Sequence, residues 1–262
     1  MQHPLDRHEF RARVAVLLFA SGCLTLQSKK DRLLNMEVNP LLKRYIPLVD
    51  YIGQVFGENC EVILHDLTNL EHSIVAIANN HITGREVGGH ITDFGLEVVH
   101  DPRYQDKNFV VSYAGTTPDG KRSLKSSTFF IRDDAGVTVG LFCINFDITD
   151  WLSAQRLIEG LTFLRDDPDT PTKAPAPQVA SVETFSSSVD DTLFHASDRV
   201  LSGFDVAPNR LTTDEKRQAV DSMQARGIFA LKGAVSLVAK KLDVSEQTVY
   251  RYLRESQNSD RG

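Results

Sequence analysis

The stretch KGAVSLVAKKLDVSEQTVYRYLRE, residues 232–255, admits few folds. Val235, Val238, Ala239 and Leu242 recur at the i, i+3, i+4, i+7 spacing of one helical face. Asp243, Val244 and Ser245 then make a tight polar turn. Ser245 suits the N-cap of a following helix, because its hydroxyl can accept a free N–H of the first turn. That second helix is expected over residues 246–255, with Val249, Tyr252 and Leu253 inward. Small Ala239 lets the helices cross closely and Val244 packs under the turn, which is a helix-turn-helix pattern.

At about 100° per residue, the opposite side of the second helix carries Gln247, Arg251 and Arg254, flanked by Thr248 and Tyr250. Glutamine pairs with adenine and arginine with guanine or phosphate. Lys240, Lys241 and Ser245 lie beside the turn, where phosphate contacts are expected. A small helical subdomain shows a similar face to water. Cap, small crossing residue, turn and exposed side chains together favour DNA. Upstream, Thr212 and Glu215 form a capping box, Ala219, Val220 and Met223 an inner face, and Gly227 a stop. Three helices are therefore expected, over 213–226, 234–242 and 246–255.

Charge supports a small reader attached to a different body. Residues 210–262 hold ten Lys/Arg and seven Asp/Glu, a net of +3; the whole chain is −6, so the remainder carries −9. With 41% hydrophobic and 24% charged residues the chain has a globular composition. Cys23, Cys60 and Cys143 form no C-x-x-C pair and no His cluster has metal spacing, so no disulfide framework, structural zinc or other cofactor is expected. Reduced thiols fit a cytoplasmic protein.

Residues 14–20 are an apolar run after Arg11 and Arg13, too short to span a bilayer. The expectation for the N-terminus is a loosely attached extension, or translation from Met36. From Met36 the pattern becomes regular. Asn39-Pro40 can open a helix whose stripe (Leu41, Leu42, Tyr45, Ile46, Val49, Ile52, Phe56) is kinked at Pro47 and closed by Gly57. Strands are expected over 60–67, 73–78, 109–114, 126–132 and 137–146, with turns at Pro118-Asp119-Gly120 and at Gly136, and a helix near 93–100. The fold class is α+β: a PAS-like five-stranded antiparallel sheet with packed helices, plus a C-terminal three-helix helix-turn-helix domain. The space between sheet and helices would suit a small molecule.

Several runs resemble the YheO-like PAS domain of bacterial transcriptional regulators: 45–49 (YIPLV), 61–67 (EVILHDL), 77–85 (IANNHITGR), 125–128 (KSST) and 140–145 (GLFCIN). Residues 228–234 (IFALKGA) with the helix-turn-helix resemble its usual companion. The resemblance implies a one-component regulator, a repressor, rather than an enzyme. The expected partners are double-stranded operator DNA, a second copy of the chain, and a small-molecule effector such as an amino acid.

Ligand contacts are expected from His65, Asn79, Asn80, Arg85 and Ser127. His65-Asp66 ends the first strand, and without a G-x-S-x-G or an activated nucleophile it is half of a catalytic arrangement at most. Asn79, Asn80, Thr83 and Arg85 make a polar loop able to cradle a carboxylate, or equally a solvated turn. Among Ser126, Ser127 and Thr128 alternate hydroxyls must face the sheet interior. Asp147 suits a cap more than a ligand. The expected layout is an N-terminal extension (1–36), a sensor (37–164), a proline-rich linker (165–180), a connecting helix (181–207) and the reader (208–262). The linker has four prolines within residues 168–177.

Overall fold

In the computed structural model, residues 38–162 and 182–259 are described. The N-terminal extension and the proline-rich linker of the sequence reading lie outside them.

Strand β1 (Cys60–Asp66) is buried at every position and runs through the middle of the first half of the sheet. It pairs antiparallel with β2 (Ile74–Ala78) on one side and β5 (Thr138–Asp147) on the other. β5 pairs with β4 (Ser123–Arg132), and β4 with β3 (Phe109–Thr116). The sheet order is β2-β1-β5-β4-β3-β6. The sixth strand, Glu183–Thr184, runs parallel to β3 with Gly115 opposite Glu183. It replaces the start of the helix expected from residue 181. Ser186, Ser187 and Ser188 account for the change: short hydroxyl side chains compete for backbone hydrogen bonds and favour caps. The Ser188 hydroxyl caps helix α4 (Val189–Leu201), which begins only there.

The register divides the sheet into two faces, since directly opposed residues share a side. The outer face carries helix α1 (Ile46–Phe56), entered through a 3-10 turn at Leu42–Tyr45, with Pro47 in its first turn where a missing N–H costs nothing. Gly53 lets the helix approach the sheet closely: a Cβ there would stand 2.7 Å from that of Ala78. The inner face carries helix α2 (Asp93–His100), capped by Thr92. Helix α3 (Thr149–Thr162) leaves the sheet after the Asp147 cap, whose Oδ1 accepts from the Thr149 N–H at 3.0 Å. Its apolar stripe faces outward: Trp151, Leu157, Ile158 and Leu161 are all more than half exposed.

Helix α4 packs against α2 on one side and against α5 (Thr213–Ala225) and α6 (Ala234–Leu242) on the other. The expected capping box is present, Thr212 and Glu215 exchanging both hydrogen bonds. α7 (Glu246–Ser259) closes the three-helix module. A single apolar cluster runs from Ile63 on the sheet through Leu193 of α4 to Val249 and Tyr252 of α7. At roughly 1.5–3 kcal/mol for each fully buried large aliphatic side chain, this shared core binds the two parts into one packed structure.

Candidate nucleic-acid interface and inner-face polar cluster

The turn between α6 and α7 has the local geometry its residues dictate. Asp243 takes a left-handed conformation (φ 51°), tolerable for an aspartate, and ends α6. The Val244 N–H returns to the Ala239 carbonyl at 3.0 Å. The Ser245 hydroxyl accepts from the Thr248 N–H at 3.2 Å, so this residue caps α7. Val249 and Tyr252 are buried, while Gln247, Tyr250, Arg251 and Arg254 are exposed and Thr248 is half-buried. The expected reading face is thus brought together on one helix. Arg251 sits 5.4 Å from the Tyr252 ring centroid and 3.9 Å from Glu255, loosely held and free to turn outward. Lys240 is exposed beside the turn. Lys241 does not join this set. Its ammonium lies 3.7 Å from the Phe194 ring centroid and 2.5 Å from Asp198 of α4.

The reader is tied to the sheet domain at its other end. Arg226, capping α5, pairs with Glu97 of α2 at 2.6 Å. Gly227 (φ 72°) lies against the His100 ring, and the Lys232 N–H donates to Glu71 at 3.1 Å.

Beneath α2, the inner face of the sheet is polar at its centre. Glu61, Ile63 and His65 of β1 share this face with Asn145, Cys143 and Leu141 of β5 and with Ser126, Thr128 and Phe130 of β4. Glu61 is fully buried; its carboxylate accepts from Thr83 Oγ1 at 2.7 Å and from Asn145 Nδ2 at 3.0 Å. Burial raises its pKa above the usual carboxylate range, against the pull of these donors. Glu183 enters from β6, accepts from the Thr92 hydroxyl at 2.6 Å, and is pushed by burial to a pKa of about 7. His65, bonded to Ser73 at 2.9 Å, is held neutral because burial lowers its pKa well below the usual value. Burial also raises the Cys143 thiol to about 12, so it is inert.

The five expected ligand residues separate. Arg85 is buried within the cluster, and one guanidinium nitrogen donates to the His90 carbonyl. His65 lies on the same face. Asn79 instead staples α1 to β1, its Nδ2 donating to the carbonyls of Gly57 and Cys60 at 2.9 and 2.7 Å. Asn80 holds the Arg85 carbonyl at 3.0 Å. Ser127 is on the outer face, where its hydroxyl accepts the Ser112 N–H at 3.1 Å; the inward hydroxyls are Ser126 and Thr128. Sequence reasoning did not single out Glu61 or Glu183. Glu61 shares strand parity with His65, a signal that was available. Glu183 depends on a two-residue strand and left none. Among the described residues, no group of three His, Cys, Asp or Glu side chains is arranged to hold a metal.

Residues 36–163 match the model of the YheO-like PAS domain, and residues 192–254 that of a helix-turn-helix domain. The uncharacterized protein YheO of Escherichia coli K12 is 32% identical over 220 residues, covering 84% of this chain and 86% of that protein. The chain belongs to the YheO-like family. An uncharacterized protein of Haemophilus influenzae is 31% identical over 84% of this chain and 92% of its own length. The transcriptional regulator DauR of Pseudomonas aeruginosa is 29% identical over 83% of this chain and 95% of its own. The family assignment agrees with the α+β class described above, and the helix-turn-helix match takes in most of α4 as well as the three helices after it.

Proposed function

We propose that this YheO-like chain is a DNA-binding transcriptional regulator whose PAS domain senses a small molecule. The observation that carries this is the division of α7 into two faces. Val249 and Tyr252 anchor it in the core, which leaves Gln247, Arg251 and Arg254 facing outward on a rigid helix. A buried apolar side orients such a helix for the major groove. Thr248, Tyr250 and Ser245 flank the same face, and Lys240 meets phosphate.

The regulator acts as a repressor and as a dimer, in the cytoplasm. One recognition helix buries too little surface for high affinity, and two half-sites double it. The apolar stripe of α3, exposed in a single chain, suits contact with a second copy. Among the described residues no helix is long and apolar enough to cross a membrane.

The path from sensor to reader is short. Glu183 and Phe185 contact the inner-face region and lie directly before α4, which packs on both α2 and the reader. A ligand that displaces this segment would move α4 and change how the reader presents α7.

The test is a fluorescence-anisotropy titration of the full chain with labelled fragments of its own upstream region, at several salt concentrations. Saturable binding that survives excess nonspecific DNA, and is lost in the Gln247→Ala/Arg251→Ala double variant, is the expected result. Equal binding by that variant would overturn it.

A further inference from the structure

Among the described residues, Arg85 Nη1, Ser126 Oγ and Asn145 Oδ1 are three buried polar atoms at the inner face with no partner. Each belongs to a side chain at least nine-tenths buried, with Arg85 6% exposed and the other two fully enclosed. An unsatisfied buried donor or acceptor costs about 1–3 kcal/mol, more when charged, so three together at one place call for an occupant.

They are placed together. Ser126 and Asn145 are direct cross-strand neighbours on the same face. Arg85 is close enough to interact electrostatically with Glu61, which bonds Asn145, with Cys143, two residues along the same strand, and with Glu183 opposite Gly115. A Cβ on Gly115 would stand 3.1 Å from Ser126 Oγ and 2.7 Å from the Phe185 ring, so Phe185 packs directly over Gly115 and closes this end of the site beside Ser126.

The chemistry of each atom is fixed by its other bonds. Arg85 Nη1 can only donate. The Asn145 amide is oriented by the Glu61 carboxylate, which takes its N–H, so Oδ1 faces the site as an acceptor. Ser126 Oγ can do either. An occupant must therefore accept from a guanidinium and a hydroxyl at one end and donate to an amide oxygen at the other.

We propose that this inner face binds a small carboxylic acid bearing an amino or hydroxyl group beside the carboxylate, with the carboxylate on Arg85 and Ser126 and the neighbouring donor on Asn145. This rests on the reading of the PAS domain as the sensing part. An amino group would also place a cation close to Glu61 and Glu183, offsetting carboxylates that outnumber Arg85.

The test uses the full chain in calorimetric titrations and thermal-shift assays. The probes are L- and D-α-amino acids, matching α-hydroxy acids, the same carboxylates without the donor, and the same amines without the carboxylate. At least one amino or hydroxy acid is expected to bind and raise the melting temperature. Its analogues lacking either group should bind at least about tenfold more weakly, the size of one or two lost hydrogen bonds. Ser126→Ala, a mild change, should weaken that ligand about tenfold. Arg85→Gln should abolish binding, and Ser127→Ala on the opposite face should leave it unchanged. The relative affinity of matched amino and hydroxy acids distinguishes the two sources. Operator binding with no response to any of the four series would overturn the proposal while leaving the regulator reading standing. So would equal affinity for the donor-free carboxylates, or a crystal structure soaked with the acids that shows only water on the three atoms. Loss of operator binding alone would count against the regulator and not against this site.

Discussion

Arg226 and Glu97, 129 positions apart in the sequence, meet in a 2.6 Å ion pair between the cap of α5 and helix α2. It joins the reader to the sheet domain beside the shared apolar core. Arg226 is about one-third exposed, so its worth is well below that of a fully buried pair. Arg226→Ala is expected to cost about 1 kcal/mol in chemical denaturation. Glu97→Gln should cost more, because Glu97 also holds Arg103 at 2.8 Å. A double-mutant cycle checks this, and a coupling energy near zero would show the contact contributes nothing.

On α7, Arg251→Ala should weaken operator binding by about 1–3 kcal/mol and relax base preference, with an unchanged melting temperature because the side chain is 61% exposed. Lys240→Ala should weaken all sequences alike and reduce the slope of log affinity against log salt by about 1. Anisotropy titrations across salt concentrations separate the two. A uniform loss from Arg251→Ala would place this residue on phosphate instead.

Lys241 should behave unlike its neighbour. Its side chain is 13% exposed, over Phe194 and against Asp198, so it holds α6 to α4. Lys241→Ala is expected to cost about 1–2 kcal/mol of folding stability and to leave the salt slope unchanged. A reduced slope with unaltered stability would return Lys241 to the DNA face.

The contrast between Lys240 and Lys241 shows where the sequence was legible. The capping box at Thr212, the Ser245 cap and the Val249–Tyr252 face rest on interactions within one turn of helix, so local spacing was enough. The parity of β4 was not decidable in the same way. Leu124 and Phe130 lie on one side, but Phe129 and Ile131 offer an equally apolar alternative, so Ser127 was as plausible an inward residue as Ser126. Lys241 and Glu183 depend on which elements meet in space. Glu183 reaches the sensor only because two residues pair with Gly115 and Thr116 from beyond the linker.

Glu183 also carries a pH dependence with a definite sign. Its folded pKa is about 7, above the ordinary value of 4.5, because burial opposes ionisation more than Thr92 and Arg85 favour it. Between these two values the folded state binds more protons than the unfolded state, so stability falls as pH rises from about 4.5 to about 7. The total is on the order of 3 kcal/mol. Glu61 contributes in the same direction, while the lowered pKa of His65 and of His90 opposes it. Glu183→Gln should remove one component, so that the stability of the variant relative to the parent rises across this window. Parallel stability curves for the two proteins from pH 4.5 to 7.5 would contradict the assignment.

Gly227 tests the join between sensor and reader most directly. Its φ of 72° disfavours any side chain, and a Cβ would run into the His100 ring. That ring cannot retreat freely, since Nδ1 is bonded to the Leu96 carbonyl at 2.9 Å. Gly227→Ala therefore combines a backbone cost of about 1–2 kcal/mol with a steric cost of about 1–3 kcal/mol. Only the second depends on His100. In a His100→Ala background the same glycine substitution should cost no more than the backbone component. Denaturation of the four proteins gives both values. An equal penalty in the two backgrounds would mean that the ring does not limit this approach, and that Gly227 is required for its turn alone.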